Sequence, residues 1–250
     1  MMKTQIKTTE EIENMRQSGR ILGEILQIVA AATKPGVTTS QLDAIAADEL
    51  TKRQAKAAFL GYNGFPANIC ISINNEIVHG IPGEKVVQEG DLVGLDFGVE
   101  FNGMITDSAV TVAVGRVSPA AQKLLTYTQK ALNDAISILK DGVRVGSIGA
   151  QIEATLEEGG LKVIDALGGH GVGHTVHEDP FIANFGTKGT GQALKAGMTI
   201  ALEPIASLST HETYLADDGW TYVTEDGSLS AQFEHTILIT EDGAEILTLP

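Results

Sequence analysis

A single cysteine, Cys70, stands in 250 residues, so no internal disulfide can form, and the chain fits a reducing compartment. Long apolar runs are also missing. Stretches such as Ile28-Val29-Ala30-Ala31-Ala32 fall far short of the roughly 20 residues that cross a bilayer. The start, Met1-Met2-Lys3-Thr4-Gln5-Ile6-Lys7, carries charge without an apolar segment behind it, which disfavours a signal peptide. A cytoplasmic protein with no membrane partner is expected. Basic residues are scarce: 17 Lys and Arg stand against 32 Asp and Glu, for a formal charge of −15. They are scattered, whereas phosphate contacts need them clustered, which argues against a nucleic-acid partner. What is present, 43% hydrophobic and 20% charged residues, describes an ordinary globular chain. The excess of acid has a specific use. Carboxylates gathered at one point suit a hard divalent cation and repel each other without it.

Helical patterns come in two pairs. Thr8 or Thr9 caps a helix through Ile12, Ile21, Leu22, Ile25 and Val29 that stops at Lys34-Pro35-Gly36, and a second follows from Thr39 to about Lys56. Ser118, with Pro119 at the first helical position, opens a third that stops at Lys140-Asp141-Gly142, and a fourth covers roughly Ser147 to Glu158. The pairs resemble each other: Lys34-Pro35-Gly36-Val37 answers Lys140-Asp141-Gly142-Val143, and at the same offset Leu42 answers Ile148 and Ala44 answers Ala150. The repeat continues in order. Gly90-Asp91-Leu92-Val93-Gly94-Leu95-Asp96 answers Gly197-Met198-Thr199-Ile200-Ala201-Leu202-Glu203, each a glycine turn feeding a strand that ends in a carboxylate. Asp107 answers Glu234, each opening a strand, and His79-Gly80-Ile81-Pro82 answers His177-Glu178-Asp179-Pro180. Halves of about 8–115 and 118–250 thus each supply two carboxylates and one histidine. Packed about a pseudo-twofold axis, they would converge on one cleft in a single catalytic domain over 1–250. No glycine-rich phosphate loop follows the first strand, so an α+β architecture is expected rather than a doubly wound sheet. Gly98, Gly103, Gly115 and Gly227 are expected at turns between antiparallel strands.

Asp96 and Glu203 end strands otherwise built from Leu, Val, Ile and Ala, where a carboxylate should be largely buried. A solitary acid in such a place is more often a satisfied cap, but a buried carboxylate needs a cation or a strong donor. Two divalent ions sharing four carboxylates meet that need. Gly168-Gly169-His170-Gly171-Val172-Gly173-His174-Thr175-Val176-His177-Glu178-Asp179-Pro180 adds nitrogen donors on a backbone whose glycines allow close approach to a ligand. His174 has no counterpart in the first half.

Asp96 and Asp107, His170, Glu203 within Leu202-Glu203-Pro204, and Glu234 within Gln232-Phe233-Glu234-His235-Thr236 resemble the metal ligands of the methionine aminopeptidases. Gly61-Tyr62-Asn63-Gly64-Phe65-Pro66, Ile69-Cys70-Ile71-Ser72-Ile73-Asn74 and Asp218-Gly219-Trp220-Thr221 resemble segments of the type I enzymes, so the similarity covers nearly the whole chain. The resemblance implies the pita-bread fold and two divalent ions, cobalt, manganese, iron or zinc, with Asp96 on one, His170 on the other, and Asp107 and Glu234 bridging. It makes Glu203 both ligand and general base, and a hydroxide bridging the ions the nucleophile. His177 would stabilise the tetrahedral intermediate and His79 would contact the peptide nitrogen on the leaving side. Tyr62, Phe65, Cys70 and Trp220 would form a pocket for the thioether side chain. The partners implied are nascent polypeptides beginning with Met, with the enzyme monomeric and working at the ribosome. Phe59 stands where some relatives carry cysteine, Val176 where an aromatic residue is common, and His174 at a varied position; these bear on the pocket and not on the metal chemistry.

Other readings are an Xaa-Pro aminopeptidase or prolidase with the same ligand types, and a relative of the fold that lost its metals and only binds. The first generally has a large extra N-terminal domain, and fewer than 80 residues precede His79 here. A type II methionine aminopeptidase would carry an inserted helical subdomain, which the short path from His177 to Glu234 leaves out. The metal-free relative would show substituted ligands, and all five ligand types are in place.

Overall fold

The computed structural model describes residues 6–250; the charged start, over residues 1–5, lies outside the described residues. Helix α1 (Thr9–Ala32) begins at a reciprocal cap, in which the Thr8 hydroxyl accepts from the Glu11 N–H and the Glu11 carboxylate accepts from the Thr8 N–H. Helix α2 (Thr39–Lys52) starts the same way on Thr38 and Gln41. It ends four residues earlier than its pattern suggests, because Lys56 and Ala57 leave to pair with a strand. Helices α3 (Pro119–Ser137), capped by Ser118, and α4 (Val145–Glu158) repeat the arrangement in the second half.

The first half has strands β1 (Lys56–Ala57), β2 (Cys70–Ile73), β3 (Glu76–Val78), β4 (Leu92–Phe101) and β5 (Met104–Ala113). Strands β1 and β2 pair with opposite ends of β4, and β4 pairs along its full length with β5. The two-residue turn between them, Asn102-Gly103, has φ of 51° and 79°, the left-handed geometry that suits Asn-Gly. The second half has β6 (Lys162–Val163), β7 (Gly168–Gly171), β8 (Glu178–Ala183), β9 (Thr199–Leu202), β10 (Ile205–Ser207), β11 (Thr213–Leu215), β12 (Tyr222–Thr224), β13 (Ser230–Gln232), β14 (His235–Ile239) and β15 (Ala244–Ile246). Here β6 and β7 pair with β10 and β9, which pair in turn with β13 and β14. Strands β9 and β10 are one strand interrupted at Glu203-Pro204, since proline brings no N–H to the ladder. Every pairing is antiparallel, as the α+β expectation requires.

The halves join along β5. Ala109 and Glu234 exchange backbone hydrogen bonds in both directions, at 2.9 and 3.3 Å. On either side a threonine hydroxyl sits in the ladder: Thr236 Oγ1 accepts from the Asp107 N–H and donates to its carbonyl, and Thr111 Oγ1 does both for Gln232. This pattern is symmetric about a local twofold axis between Ala109 and Glu234. The axis relates Asp96, opposite Ala109, to the position opposite Glu234, which the register of Leu202 on His235 and Ile205 on Gln232 assigns to Glu203. It relates Asp107 to Gln232, however, and Glu234 to Ala109. The sequence match of Asp107 with Glu234 is therefore displaced by two residues. A two-residue shift leaves a strand side chain on the same face, so both acids still point into the cleft.

Alternation also divides the layers. Val93, Leu95 and Phe97 of β4 pack on Leu22, Ile25, Val29 and Leu42 of α1 and α2, while Asp96 between them faces the other way. Ile200, Leu202 and Ile237 pack likewise on Leu124, Leu132, Ile148 and Ile152 of α3 and α4. Helices cover the outer faces and the inner faces meet over the cleft. Among the described residues, no helix is long and apolar enough to cross a membrane.

Candidate metal centre and its pocket

All five expected ligands are buried: Asp96 on β4, Asp107 on β5, His170 on β7, Glu203 at the strand break and Glu234 just before β14. Asp107, His170 and Glu234 each offer a ligand atom, and the three atoms lie within 4.8 Å of one another. Glu203 Oε1 lies 3.6 Å from His170 Nε2. Nδ1 of His170 is 2.9 Å from the Gly171 carbonyl, to which it can only donate, so its proton sits there and the lone pair of Nε2 points inward. Burial lowers this imidazole to a pKa of about 3.

The four carboxylates have the opposite problem. Burial raises Asp96 to about 7, while Gln232 and Asp107 pull it back as hydrogen-bond partners. Burial first, and then the neighbouring carboxylates, push Asp107, Glu203 and Glu234 well above the ordinary carboxylate range. Asp107 Oδ1 and Glu234 Oε1 are buried with no hydrogen-bond partner. Unpartnered buried oxygens of repelling acids, beside a neutral imidazole nitrogen, fit the oxygen-rich, single-nitrogen donor set of a divalent cation.

These groups form one side of a cavity of about 180 Å³ whose other walls include His79, His177, Tyr62, Phe65, Cys70 and Trp220, so every residue singled out for the site in the sequence reaches it. Tyr62 Oη and His177 Nδ1 are 3.0 Å apart, and the rings of His177 and His170 lie 4.2 Å apart. Phe65 meets Trp220 edge-to-face at 5.1 Å. His79 is held at φ +60°, strained for a residue with a side chain, and is followed by Gly80, where a Cβ would fall 2.2 Å from the Ile71 carbonyl oxygen. Burial and the Asp96 charge keep the Cys70 thiol protonated, so the pocket presents neutral sulfur.

A family model for metallopeptidase family M24 matches residues 13–241. The chain belongs to this family. It is 48% identical to "Methionine aminopeptidase" of Aquifex aeolicus, over 99% of each chain, and 40% identical to that of Escherichia coli K12, over 99% of this chain and 95% of the relative. The crystal structure of methionine aminopeptidase from Thermotoga maritima superposes with a TM-score of 0.97 at 43% identity, covering 99% of this chain and 100% of that one. Prolidase from Pyrococcus furiosus, 23% identical, shares the fold with a TM-score of 0.77 over 98% of this chain and 65% of its own. The architecture is thus the pita-bread fold of M24 metallopeptidases, with an arrangement of acids suited to divalent metal.

Several site features of this M24 chain carried no role in the sequence. Gln232 Nε2 donates to Glu203 Oε2 at 3.1 Å; its signal was that it lies two residues before Glu234, hence on the same strand face. Asp43 on α2 accepts from the Asn68 and Ile69 N–H groups and fixes the segment that carries Cys70. Asp218 likewise receives the N–H of Trp220 at 2.8 Å. Gly98 is not at a turn, unlike Gly103, Gly115 and Gly227, which all have positive φ; it lies within β4, and a Cβ there would fall 2.6 Å from the Phe59 ring. Phe59 and Val176 both line the cavity, whereas His174 bonds Glu11 outside it. The glycines of the 168–171 run serve the sheet more than a ligand: a Cβ on Gly169 would fall 2.4 Å from the Ala201 carbonyl oxygen, and one on Gly171 equally close to that of Asp179.

Proposed function

We propose that this chain removes methionine from the N-termini of nascent polypeptides in the cytoplasm, as a monomer working on chains as they leave the ribosome. The observation that carries the reading is one cavity in which five buried metal-type donors face an apolar, sulfur-bearing wall. Asp96, Asp107, His170, Glu203 and Glu234 would hold two divalent ions, cobalt, manganese, iron or zinc, with Asp107 and Glu234 shared. When bound, such ions supply Lewis acidity and lower the pKa of water toward neutrality.

The chain's own groups supply the rest. Glu203 accepts the proton of the attacking water, its carboxylate held by Gln232. Burial keeps His177 neutral, and in the tautomer whose Nδ1 accepts from the Tyr62 hydroxyl the proton is on Nε2, placed to donate to an oxyanion. His79, also neutral with a pKa lowered to about 4, contacts the peptide nitrogen on the leaving side. Tyr62, Phe65, Cys70 and Trp220 receive the unbranched thioether, for which aromatic faces and a soft sulfur make favourable contacts.

Metal-loaded protein incubated with peptides beginning Met-Ala, Leu-Ala and Ala-Pro, with and without a chelator, tests the reading. Preferential, chelator-sensitive release of methionine is expected; turnover confined to Ala-Pro would replace it with an Xaa-Pro aminopeptidase. The pocket wall can be probed at Gly98, where alanine would drive the Phe59 ring into the space for the thioether. Gly98→Ala is expected to lower kcat/KM for Met-Ala peptides about 10-fold, the scale of one misplaced methylene group in an apolar pocket. Unchanged steady-state kinetics would show that Phe59 does not bound that space.

A further inference from the structure

His177 sits on a loop between β7 and β8 whose far side is closed by charged residues from the other half of the chain. The residue after it, Glu178, turns its carboxylate away from the cavity, with its side chain only 5% exposed. Glu178 Oε2 meets Lys7 Nζ at 2.5 Å, and the Lys7 side chain is 1% exposed. Glu178 Oε1 accepts the His174 N–H at 2.7 Å, closing a ring of chain that contains Val176 and His177. His174 Nε2 then reaches Glu11 Oε1 at 2.8 Å, while the other oxygen of Glu11 caps α1 through the Thr8 N–H.

The segment carrying Lys7 is itself tightly seated. Its N–H donates to the Gly197 carbonyl at 2.8 Å. The lysine stem passes so close to Gly173, at φ +148°, that a Cβ there would fall 2.4 Å from Lys7 Cε, and one on Gly197 would fall 2.6 Å from Ile6 Cγ2. Two glycines thus leave a channel for this strap, and both carboxylate oxygens of Glu178 are committed on that side of the loop. From the first half, the Ile105 N–H also holds the loop through the Gly173 carbonyl at 2.7 Å.

We infer that residues 6–11 form a strap that positions His177: Lys7 acts through Glu178, and Glu11 acts through His174, to set the height of the imidazole over the cavity. These four are positioning residues, since none lines the cavity. The inference rests on the role given above to His177. It explains His174, the histidine of this loop that the cavity leaves unused.

The test is a double-mutant cycle on methionine release from a Met-Ala peptide by the metal-loaded full chain, measured well below the thermal midpoint. Lys7→Met keeps the length of the side chain but strands Glu178, so Lys7→Met with Glu178→Gln supplies a neutral pair of similar size, and His174→Ala supplies a milder, half-exposed change. Each is expected to lower kcat about 10- to 100-fold with little change in KM, the scale of a misplaced catalytic group. In a His177→Ala background the same changes are expected to have no further effect on kcat. Equal losses in both backgrounds, or a lower thermal midpoint with kcat untouched in all three variants, would overturn the inference. Absence of methionine release by the unaltered protein would instead strike at the proposed activity, so the two failures are distinct.

Discussion

Replacing Glu203 with glutamine is expected to leave a folded protein whose kcat for methionine release is roughly 10²–10⁴-fold lower, the range ascribed to a positioned proton acceptor. Folding should survive because the substitution keeps the shape of a buried group and removes one of four mutually repelling charges. Burial and the charges of Asp96 and Asp107 hold Glu203 well above the ordinary carboxylate range, and Gln232 opposes them. An amide at 203 can neither bind a cation as firmly nor take the proton of water. Circular dichroism and a thermal midpoint near that of the unaltered protein would establish folding, and turnover of a Met-Ala peptide would establish the loss. Activity within a few-fold of normal would reject Glu203 as the base.

Metal removal is expected to abolish turnover and to lower the thermal midpoint by about 5–10 °C at near-neutral pH, as loss of a ligand present at some hundredfold over its dissociation constant would do for a chain of this size. The pH dependence has a definite sign. Asp96 rises from its ordinary 3.8 to about 7 in the fold, and Asp107, Glu203 and Glu234 are raised as well. A carboxyl whose folded pKa is raised binds more protons folded than unfolded, so its contribution is fully present below its unfolded value and is lost as pH rises through the folded one. The metal-free protein should therefore weaken as pH rises from about 4 through about 7, where the metal, by neutralising the same acids, removes the repulsion. His79 and His235, both lowered by burial, act alike in the two forms and cancel in the difference. Scanning calorimetry should show a larger gap between loaded and chelated protein at the higher pH. An equal or smaller gap there would mean that the four acids are not the metal's ligands.

Much of this site was legible from local pattern. The cap at Thr8, and Pro119 after Ser118, involve residues within a turn of each other, so the chain alone carries them. An acid in an otherwise apolar strand, as at Asp96 and Glu203, is equally local; Glu203 directly follows β9 as expected, whereas Asp96 lies midway along β4 rather than at its end, because that strand runs on to Phe101 in its ladder with β5. Gln232 was harder to see, since an amide among apolar residues has many uses, and only its 3.1 Å bond to Glu203 assigns one. Gly98 was misread because a glycine in a β-rich stretch looks like a turn; the ring of Phe59, about forty positions earlier, is what excludes a side chain there.

By itself the sequence determined the kinds of group at the centre and the elements that carry them: four carboxylates and an imidazole, on strands whose apolar faces are bound to pack against helices. Tertiary structure decided how those groups are related. The axis between Ala109 and Glu234 pairs Asp107 with Gln232 rather than with Glu234, and Lys7 reaches Glu178 across the whole first half. Both facts depend on register and on contacts between segments far apart in the chain. A two-residue slip costs nothing in side-chain pattern, and a distant partner leaves no local mark, so only the packed backbone can select among such arrangements.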